Sequence, residues 1–295
     1  MWLISEQAGR INSGNRFMIK NIKFPSVAGK LAPALIERYY TVYYTYVLNT
    51  AKAAGINVEM VGDTSVGDAR FLINVDGRDI LLDYSDTTSV LGGFKSTPYF
   101  KFHSSDGIHE PSIFPFPPIS FYNWQQYSII SRKYKYNSHN ELILCRQKPY
   151  GNATERRKKV QAMLKKEYSQ KCHIGLLKQA DYWKDVSTCL IHVFVPGYRN
   201  NMLDRGHNQY LGLGCCTISP RIINRLPFNK KMIPGVHYLE CAPDYSDLLS
   251  IIDWCRINRN KCTQIGNNAK KLFIESCTPV NIWKWVEQCM NVGNQ

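Results

Sequence analysis

The stretch NELILCRQKPYGNATERRKKVQAMLKKEYSQKCHIGLL, residues 140–177, contains a short apolar run, a basic amphipathic segment and a second apolar run. We predict a strand from Leu142 to Cys145, a helix with Ala153 to Tyr168 as its body, and a strand in CHIGLL. A strand, a helix and a strand in this order form a right-handed crossover between parallel strands. The stretch therefore predicts a parallel α/β sheet.

The same alternation continues toward the end of the sequence. The segments CLIHVFVPG, CCTISP and VHYLEC are predicted strands, and RGHNQYLGLG is a predicted helix. Three more helices are predicted in DYSDLLSIIDWCRIN, NKCTQIGNNAKKLFIESC and TPVNIWKWVEQCMN. In an open parallel sheet the ligand lies at the carboxyl ends of the strands, so we expect a site there.

The first part of the sequence predicts a second α/β unit. Residues 31–55 form a predicted helix that Gly55 ends, INVEMVG is a strand, and ARFLINVDGRDILLDYSD is two strands around an Asp76-Gly77 turn. Residues 92–126 are rich in Pro, Phe and Gly and are predicted to be irregular. We predict two α/β domains, 1–130 and 131–295, with the site in the cleft between them.

Charge and cysteine content narrow the class of protein. The 37 Lys and Arg residues exceed the 23 Asp and Glu residues, and the net charge of +14 favours anionic partners such as nucleotides, nucleic acid or a membrane surface. The ten cysteines contain no C-x-x-C pair, which predicts reduced, mostly buried thiols with no metal role in a cytoplasmic protein. No secretion signal and no membrane-spanning segment is predicted.

Several familiar motifs are absent from the sequence. It contains no G-x-x-x-x-G-K-[ST], no G-x-G-x-x-G that opens a helix, no D-x-D and no H-E-x-x-H. These absences argue against a nucleotidase or a dinucleotide dehydrogenase, and they favour metal-independent chemistry without a tightly bound cofactor. Arginine side chains and helix N-termini would then neutralise an anionic ligand.

Two places can bind such an anion. Arg146 and Lys148 follow directly on a predicted strand. Asp204 is a predicted N-cap, with Arg205 in the first helical turn. Because the helix dipole disfavours a cation at this end, either an anionic ligand or a neighbouring carboxylate such as Asp204 should accompany Arg205.

The tetrapeptide DYSD occurs twice, at 83–86 and 244–247. The second copy precedes a predicted helix and is interpreted as capping residues. The first copy ends a predicted strand, so its carboxylates are candidates for a general base, although each could equally be a turn residue. The candidates are Asp86, Asp83 and Asp106, with His109 and Glu110 near the last of them.

From about Leu142 to Met290 the sequence resembles a family of enzymes. The run CLIHVFVPGYRNNMLDRGHNQYLGLGCCTISP, followed by HYLECAPDYSDL and NNAKKLF, is similar to the carboxyl half of GT-B type glycosyltransferases. The greatest similarity is to the CAP10-like and protein O-glucosyl- and xylosyltransferase group and to related enzymes of large algal viruses. The first half resembles the family only through LLDYSD and YFKFH.

The resemblance implies two Rossmann-like domains facing a cleft, with the C-terminal helix returning toward the first. It implies an inverting transfer of a glucose- or xylose-like sugar from a UDP-sugar to a glycan or glycoprotein hydroxyl, in the cytoplasm or a host's cytoplasm. The donor would bind the second domain and the acceptor the first. Leu203 stands where the family has a serine. The positions implied for the nucleotide sugar are Arg205, Arg146, Gly197, Asn208, Gly212 and Gly214.

Two other functions remain open from the sequence. The basic helix ERRKKVQAMLKK suits a nucleic-acid-binding or RNA-modifying protein, although part of it is expected to be a solvated face. The aromatic residues of 114–124 suit a non-catalytic glycan-binding module. These aromatic residues are Phe114, Phe116, Phe121 and Trp124.

Overall fold

The computed structural model describes residues 18–25, 41–62, 70–85, 97–105, 113–121, 124–136, 140–197 and 199–292. These residues form a mixed α/β structure with a six-stranded sheet, a five-stranded sheet and a two-stranded ribbon. The mixed α/β class predicted from the sequence is therefore confirmed.

The first sheet is mixed and has the order β2-β1-β3-β4-β5-β6. Strand β1 pairs parallel with β2 and antiparallel with β3, and β4, β5 and β6 run parallel to one another. Its elements are β1 (Asn21–Pro25), α1 (Thr41–Ala53), β2 (Asn57–Val61), β3 (Arg70–Val75), β4 (Arg78–Asp83), β5 (Tyr99–Lys101) and β6 (Ile113–Pro115).

The predicted hairpin is present between β3 and β4. Val75 pairs with Arg78, and Asp76 and Gly77 between them have φ angles of 47° and 89°. Two consecutive positive φ angles are what a two-residue hairpin turn needs to match the twist of its strands, and Asp-Gly adopts them readily. The local sequence therefore sets the register of this pair.

The irregular region predicted for 92–126 is wrong in part. It contains β5 and β6, and helix α2 (Trp124–Lys133) begins within it. Both strands are three residues long and almost wholly buried, so they lack the alternation of apolar and polar residues that identifies a strand. Helix α2 also runs across the predicted domain boundary at residue 130.

The second sheet is parallel throughout and has the order β13-β10-β9-β7-β8. The chain adds β8 on one side of β7 and then crosses to add β9 on the other side. Its elements are β7 (Ile143–Cys145), α3 (Thr154–Tyr168), β8 (Cys172–Ile174), α4 (Gln179–Thr188), β9 (Ile191–Val193), α5 (Arg205–Leu213), β10 (Thr217–Pro220), β13 (Leu239–Cys241), α6 (Leu248–Ile257) and α7 (Arg259–Cys277). The ribbon between β10 and β13 pairs β11 (Arg225–Leu226) with β12 (Lys230–Lys231).

The last helix, α8 (Pro279–Val292), packs into the core of the first sheet. The Trp283 indole donates to Thr50 Oγ1 at 3.2 Å, and the Trp285 indole donates to the Pro115 carbonyl at 2.8 Å. Both indoles are buried, so these bonds fix the helix as well as satisfying its polar groups. The return of the C-terminal helix toward the first half is thus present in the structure.

Glycines position helix α5 in the second half. A Cβ on Gly266 would lie 2.1 Å from the Gly214 carbonyl oxygen, so α5 and α7 approach more closely than larger residues allow. Gly214 also ends α5 with a φ of 77°, a conformation that glycine adopts without strain. A Cβ on Gly212 would lie 2.9 Å from the Phe121 ring. These contacts give Gly212, Gly214 and Gly266 a packing role and fix the direction in which α5 points.

Candidate functional site

A cavity of about 610 Å³ lies between the two sheets, with walls from both halves of the chain. On the second sheet it lies beyond the carboxyl ends of β7 and β9. These are the neighbouring strands at which the chain reverses its direction of sheet growth, and open α/β sheets bind ligands at that point. Topology therefore marks the cavity as a binding site, independently of its side chains.

The amino end of α5 forms part of this cavity. Asp204 Oδ1 accepts hydrogen bonds from the backbone N–H groups of Gly206 at 2.9 Å and His207 at 3.4 Å. The N-cap predicted at Asp204 is therefore confirmed. Arg205 begins the helix, is exposed and lines the cavity. An anion in the cavity would meet both the Arg205 guanidinium and the positive end of the helix dipole.

Arg157 is a cavity residue that the sequence did not single out as part of a ligand site. Its guanidinium is buried, donates to the carbonyls of Val195 at 3.1 Å and Lys148 at 2.8 Å, and lies 3.6 Å from Asp204 Oδ2. It joins the loops after β7 and β9 to the start of α5. A signal was available, because Arg157 shares one face of α3 with the buried Val160 and Leu164.

The neighbouring Arg156 supports the same loop from the other side. Its guanidinium donates to the carbonyl oxygens of Pro196 at 3.1 Å and Gly197 at 2.8 Å. Gly197, a predicted ligand-binding position, lines the cavity. The two adjacent arginines together fix the backbone after β9, so the cavity wall here is firmly held.

Arg146 and Lys148 both line the cavity, but their surroundings differ. Arg146 forms an ion pair with Asp185 and donates to the carbonyls of Ile174 and Gly175, both at 2.9 Å. Asp185 also bonds to His173. The Lys148 side chain is exposed at the cavity. Arg146 is therefore engaged in holding the end of β8, whereas Lys148 is placed to approach a ligand.

The second-sheet wall is strongly basic. Its lining includes one acidic residue, Asp204, against five basic ones: Arg146, Lys148, Arg157, Arg199 and Arg205. Partial burial raises the pKa of the Asp204 carboxyl above its ordinary value, although Arg157 and the backbone N–H groups at the helix start act in the opposite direction. Arg146 is paired with Asp185 and Arg157 with Asp204, so the excess of positive charge comes from Lys148, Arg199 and Arg205, and it attracts anionic ligands.

The structure does not bring Asp83 to the cavity. Its side chain is fully buried, 3.1 Å from both the Lys101 ammonium and the Arg70 guanidinium, and it accepts a hydrogen bond from Tyr99. Burial raises the pKa of the Asp83 carboxyl, but Lys101, Ser85 and Tyr99 outweigh burial and leave it below its ordinary value. This arrangement suits a buried structural ion pair and leaves the carboxylate no access to a substrate.

The other predicted base candidates, Asp86, Asp106, His109 and Glu110, lie outside the described residues. On the first-sheet wall the structure places His103, two residues after β5, at the cavity. His103 is half-buried, and its Nε2 lies 3.5 Å from the Tyr43 hydroxyl. It is the histidine of YFKFH; an isolated histidine has no spacing partner that would mark it in a sequence.

Three predicted nucleotide contacts lie away from the cavity lining. Asn208 is buried and donates to the Pro118 carbonyl at 2.6 Å, while Gly212 and Gly214 pack against aromatic rings and α7. The next residue, Gln209, does line the cavity and donates to the Ser120 carbonyl at 2.8 Å. Helix α5 therefore holds the 118–121 segment of the opposite wall in place.

The aromatic residues considered for glycan binding mostly serve the cores. Phe116 and Phe121 are buried, and Phe114 and Trp124 pack against the core clusters. Phe121 alone of these four lines the cavity. The structure thus does not form an exposed aromatic groove from this set.

The sequence is similar to known proteins only over short segments. No protein-family model matches the sequence. The chain is similar to uncharacterized protein 179R of Invertebrate iridescent virus 6, at 29% identity over 87 residues, which cover 27% of this chain and 7% of that protein. It is also similar to uncharacterized protein 035R of Invertebrate iridescent virus 3, at 31% identity over 65 residues, which cover 21% of this chain and 6% of that protein. The match thus spans less than a tenth of these relatives.

Among solved structures, the chain is similar to a crystal structure of a glycosyltransferase from Rickettsia africae ESF-5. The TM-score is 0.48 and the sequence identity 12%, over 90% of this chain and 84% of that one. Within the ranges that the structure describes, no helix has both the length and the apolar character needed to cross a bilayer.

Proposed function

We propose that the chain is a glycosyltransferase that moves a sugar from a UDP-sugar to a hydroxyl group of a glycan or glycoprotein. The observation that carries the proposal is the cavity at the β7–β9 reversal, with a basic wall on one side and His103 on the other. A diphosphate suits the basic wall because arginine, lysine and a helix N-terminus can neutralise it without a metal ion. The glucose- or xylose-like sugar follows from the sequence resemblance.

Arg205 and Lys148 are the residues that we assign to the diphosphate. Both are exposed at the cavity, and Arg205 lies at the amino end of α5. When the sugar leaves, the diphosphate gains negative charge, so fixed positive groups stabilise the transition state more than the bound donor. Arg157 and Arg146 act behind them as positioning residues, because their hydrogen bonds fix the loops after β7, β8 and β9.

The acceptor hydroxyl must lose a proton as it attacks the sugar. In the described part of the first-sheet wall, His103 is the residue that we assign as the general base. A ring nitrogen of an imidazole can accept this proton, and the Tyr43 neighbour can orient the ring. Asp86 and Asp106 remain the carboxylate candidates for the general base. With a single base acting on the acceptor, transfer proceeds with inversion.

Ligand-dependent stabilisation tests the donor assignment. The full chain is heated with UDP-, GDP- and CMP-sugars, each with and without EDTA, and the melting temperature is recorded. A ligand that binds only the folded protein raises Tm, so we expect one UDP-sugar to raise it equally with and without EDTA. A panel in which none of these nucleotide sugars raises Tm, while a polynucleotide added as a further sample does, would contradict the proposal, and so would a panel with no response at all.

Three substitutions separate the candidate bases. We compare His103→Gln, Asp86→Asn and Asp106→Asn in an assay that follows UDP release at saturating donor. Loss of general base catalysis lowers kcat by about 10²- to 10⁴-fold, and we expect this loss in His103→Gln with the donor-induced rise in Tm retained. If His103→Gln keeps full turnover while one of the aspartate variants loses it, the base is that carboxylate.

A further inference from the structure

Three cysteine thiols from separate elements meet in the core of the second half. Cys216 immediately precedes β10, Cys255 lies on α6 and Cys262 lies on α7. Each side chain is fully buried, and the three Sγ atoms all lie within 4.8 Å of one another. Such a spacing places three soft ligands around a common point.

We propose that Cys216, Cys255 and Cys262 bind a divalent d¹⁰ metal ion of the zinc type, in a structural site separate from the cavity. Thiolate sulfur is a preferred ligand of Zn²⁺, and structural zinc sites commonly use three or four cysteines. The interval from Cys216 to Cys255 is long, that from Cys255 to Cys262 is short, and neither is a C-x-x-C pair, so the sequence does not display a zinc motif. The proposal replaces the expectation that the cysteines have no metal role, and it does not depend on the proposed transferase function.

The charge of the ion distinguishes between soft metals. Three thiolates and a divalent ion leave one negative charge, whereas three thiolates and a monovalent ion such as Cu⁺ leave two. An uncompensated charge in an apolar core is strongly unfavourable. The surrounding cluster consists of apolar side chains, among them Val160, Ile218 and Ile252. The smaller residual charge favours a divalent ion.

A fourth ligand is available within the same group. The Cys262 thiol donates to the Cys255 carbonyl oxygen at 3.7 Å, so this oxygen lies next to one of the three sulfur atoms. Cys255 is in the last turn of α6, where helix carbonyls have no N–H partner within the helix. With this oxygen as the fourth ligand, the three sulfur atoms would give Zn²⁺ the coordination number of four that it has in structural sites.

A second group of possible ligands is the weaker candidate among the described residues. It consists of His173, Asp185 and Cys189. Its carboxylate already forms an ion pair with Arg146 and a hydrogen bond with His173. A metal ion bound there would have to displace the Arg146 guanidinium from Asp185. The three-cysteine group consists of thiols alone, so a metal ion would replace only their protons.

An ion in the three-cysteine site would link α6 and α7 to the start of β10. Helix α7 in turn packs closely on α5 through Gly266 and Gly214. The ion would therefore stabilise the framework behind the basic wall without contacting the ligand. Its removal should lower stability, and donor binding should be lost only when the protein unfolds.

The test uses the full chain, refolded with Zn²⁺ or Cd²⁺ and freed of excess ion. We expect one tightly bound ion per chain, a thiolate-to-cadmium absorption band, and a Tm several degrees above that of protein refolded with EDTA. Cys255→Ala and Cys262→Ala should each abolish the band and the metal-dependent rise in Tm. Cys241→Ala, a buried cysteine in the same apolar cluster that is outside the three-cysteine group, should retain both.

Two variants are used so that the test still stands if one of them fails to fold. The number of metal ions bound per wild-type chain is measured independently of both variants. Absence of stoichiometric metal in the wild type would overturn the proposal. So would equal binding in both variants and the wild type, or a thiol count showing a disulfide within the three-cysteine group. UDP-sugar stabilisation of metal-free protein is measured in parallel, so that failure of the metal site and failure of the transferase proposal are told apart.

Discussion

The two walls of the cavity differ in where they place their charged residues. On the second-sheet wall, Lys148 and Arg205 are exposed at the cavity, and the end of α5 adds its dipole. On the first-sheet side, the charges at the end of β4 and β5 are buried behind the wall as the Asp83–Lys101 pair. The described first wall instead presents aromatic and apolar residues with His103 among them.

A charged residue at a strand's carboxyl end is therefore not by itself a ligand-binding residue. Both Asp83 and Arg146 occupy such positions, and both are neutralised by a neighbour of opposite charge. The side chains placed to meet a ligand are those that the fold leaves exposed at the cavity. Altering one wall at a time tests this contrast.

The largest effect is expected from Asp83→Asn behind the first wall. Removing one member of a buried charge pair leaves Lys101 without compensation and costs about 3–5 kcal/mol of the free energy of unfolding. Asp79→Asn is the matched control, because Asp79 is exposed on the same strand. Urea denaturation of both variants measures the difference.

Activity measured under folding conditions decides the role of Asp83. We expect Asp83→Asn to transfer sugar at a rate that follows its folded fraction. A variant that stays as stable as the wild type but loses transfer would make Asp83 the base and remove the contrast between the walls.

Arg205→Ala alters the second wall with a smaller effect. Loss of one charge-assisted contact to a diphosphate costs about 1.5–3 kcal/mol, which is roughly a 10- to 100-fold loss of kcat/KM. The fold should persist because Arg205 is exposed. Arg132→Ala, also exposed but outside the cavity lining, is the control. Wild-type turnover in Arg205→Ala would remove the arginine from the site.

The sequence predicts the long helices of the second half well because their apolar residues recur at helical spacing. Helix α3 was expected with Ala153–Tyr168 as its body and extends over Thr154–Tyr168, and the N-cap at Asp204 follows from local chemistry alone. The Asp76-Gly77 turn is predictable for the same reason, since two residues determine its dihedral angles.

The parts that could not be predicted depend on contacts distant in sequence. The burial of Asp83 requires Lys101 from a neighbouring strand, and the reversal between β7 and β9 depends on strand order. Arg157 lies within the run ERRKK, and a run with four basic residues is typical of a solvated helix face. Only its shared face with Val160 and Leu164 distinguishes it from Lys158 and Lys159.

Acid should weaken the second half before it affects the Asp83 pair. Burial lowers the pKa of His192 to about 4 and that of His207 to about 3. Below the unfolded pKa of about 6.5 the unfolded chain binds protons that the folded chain does not, so stability falls as pH falls. Each histidine contributes up to about 1.4 kcal/mol per pH unit in this range.

The direction is the same for Asp83, whose pKa is lowered by its partners in spite of burial, but its pH window lies lower than that of the histidines. The contribution of Asp83 to the free energy of unfolding is present above the ordinary aspartate pKa and is lost only as pH falls below that value. Urea titrations at pH 6.5 and 5.5 should therefore show a loss that His207→Gln reduces and Asp79→Asn does not. A wild-type stability that is constant over this interval would contradict neutral buried histidines in the second half.

The smallest effect is expected on the solvent side of α3. Lys158, Lys159, Lys165 and Lys166 are exposed there, and none of them lines the cavity. Replacing all four by Gln should change the free energy of unfolding by about 0.5 kcal/mol or less per site. It should also leave UDP-sugar stabilisation unchanged, because the charges that meet the donor belong to the cavity wall.

If the basic helix instead serves a polynucleotide, the same variant will lose salt-dependent polynucleotide binding while Arg205→Ala retains it. The two variants thus assign the positive charge of the chain to one surface or the other.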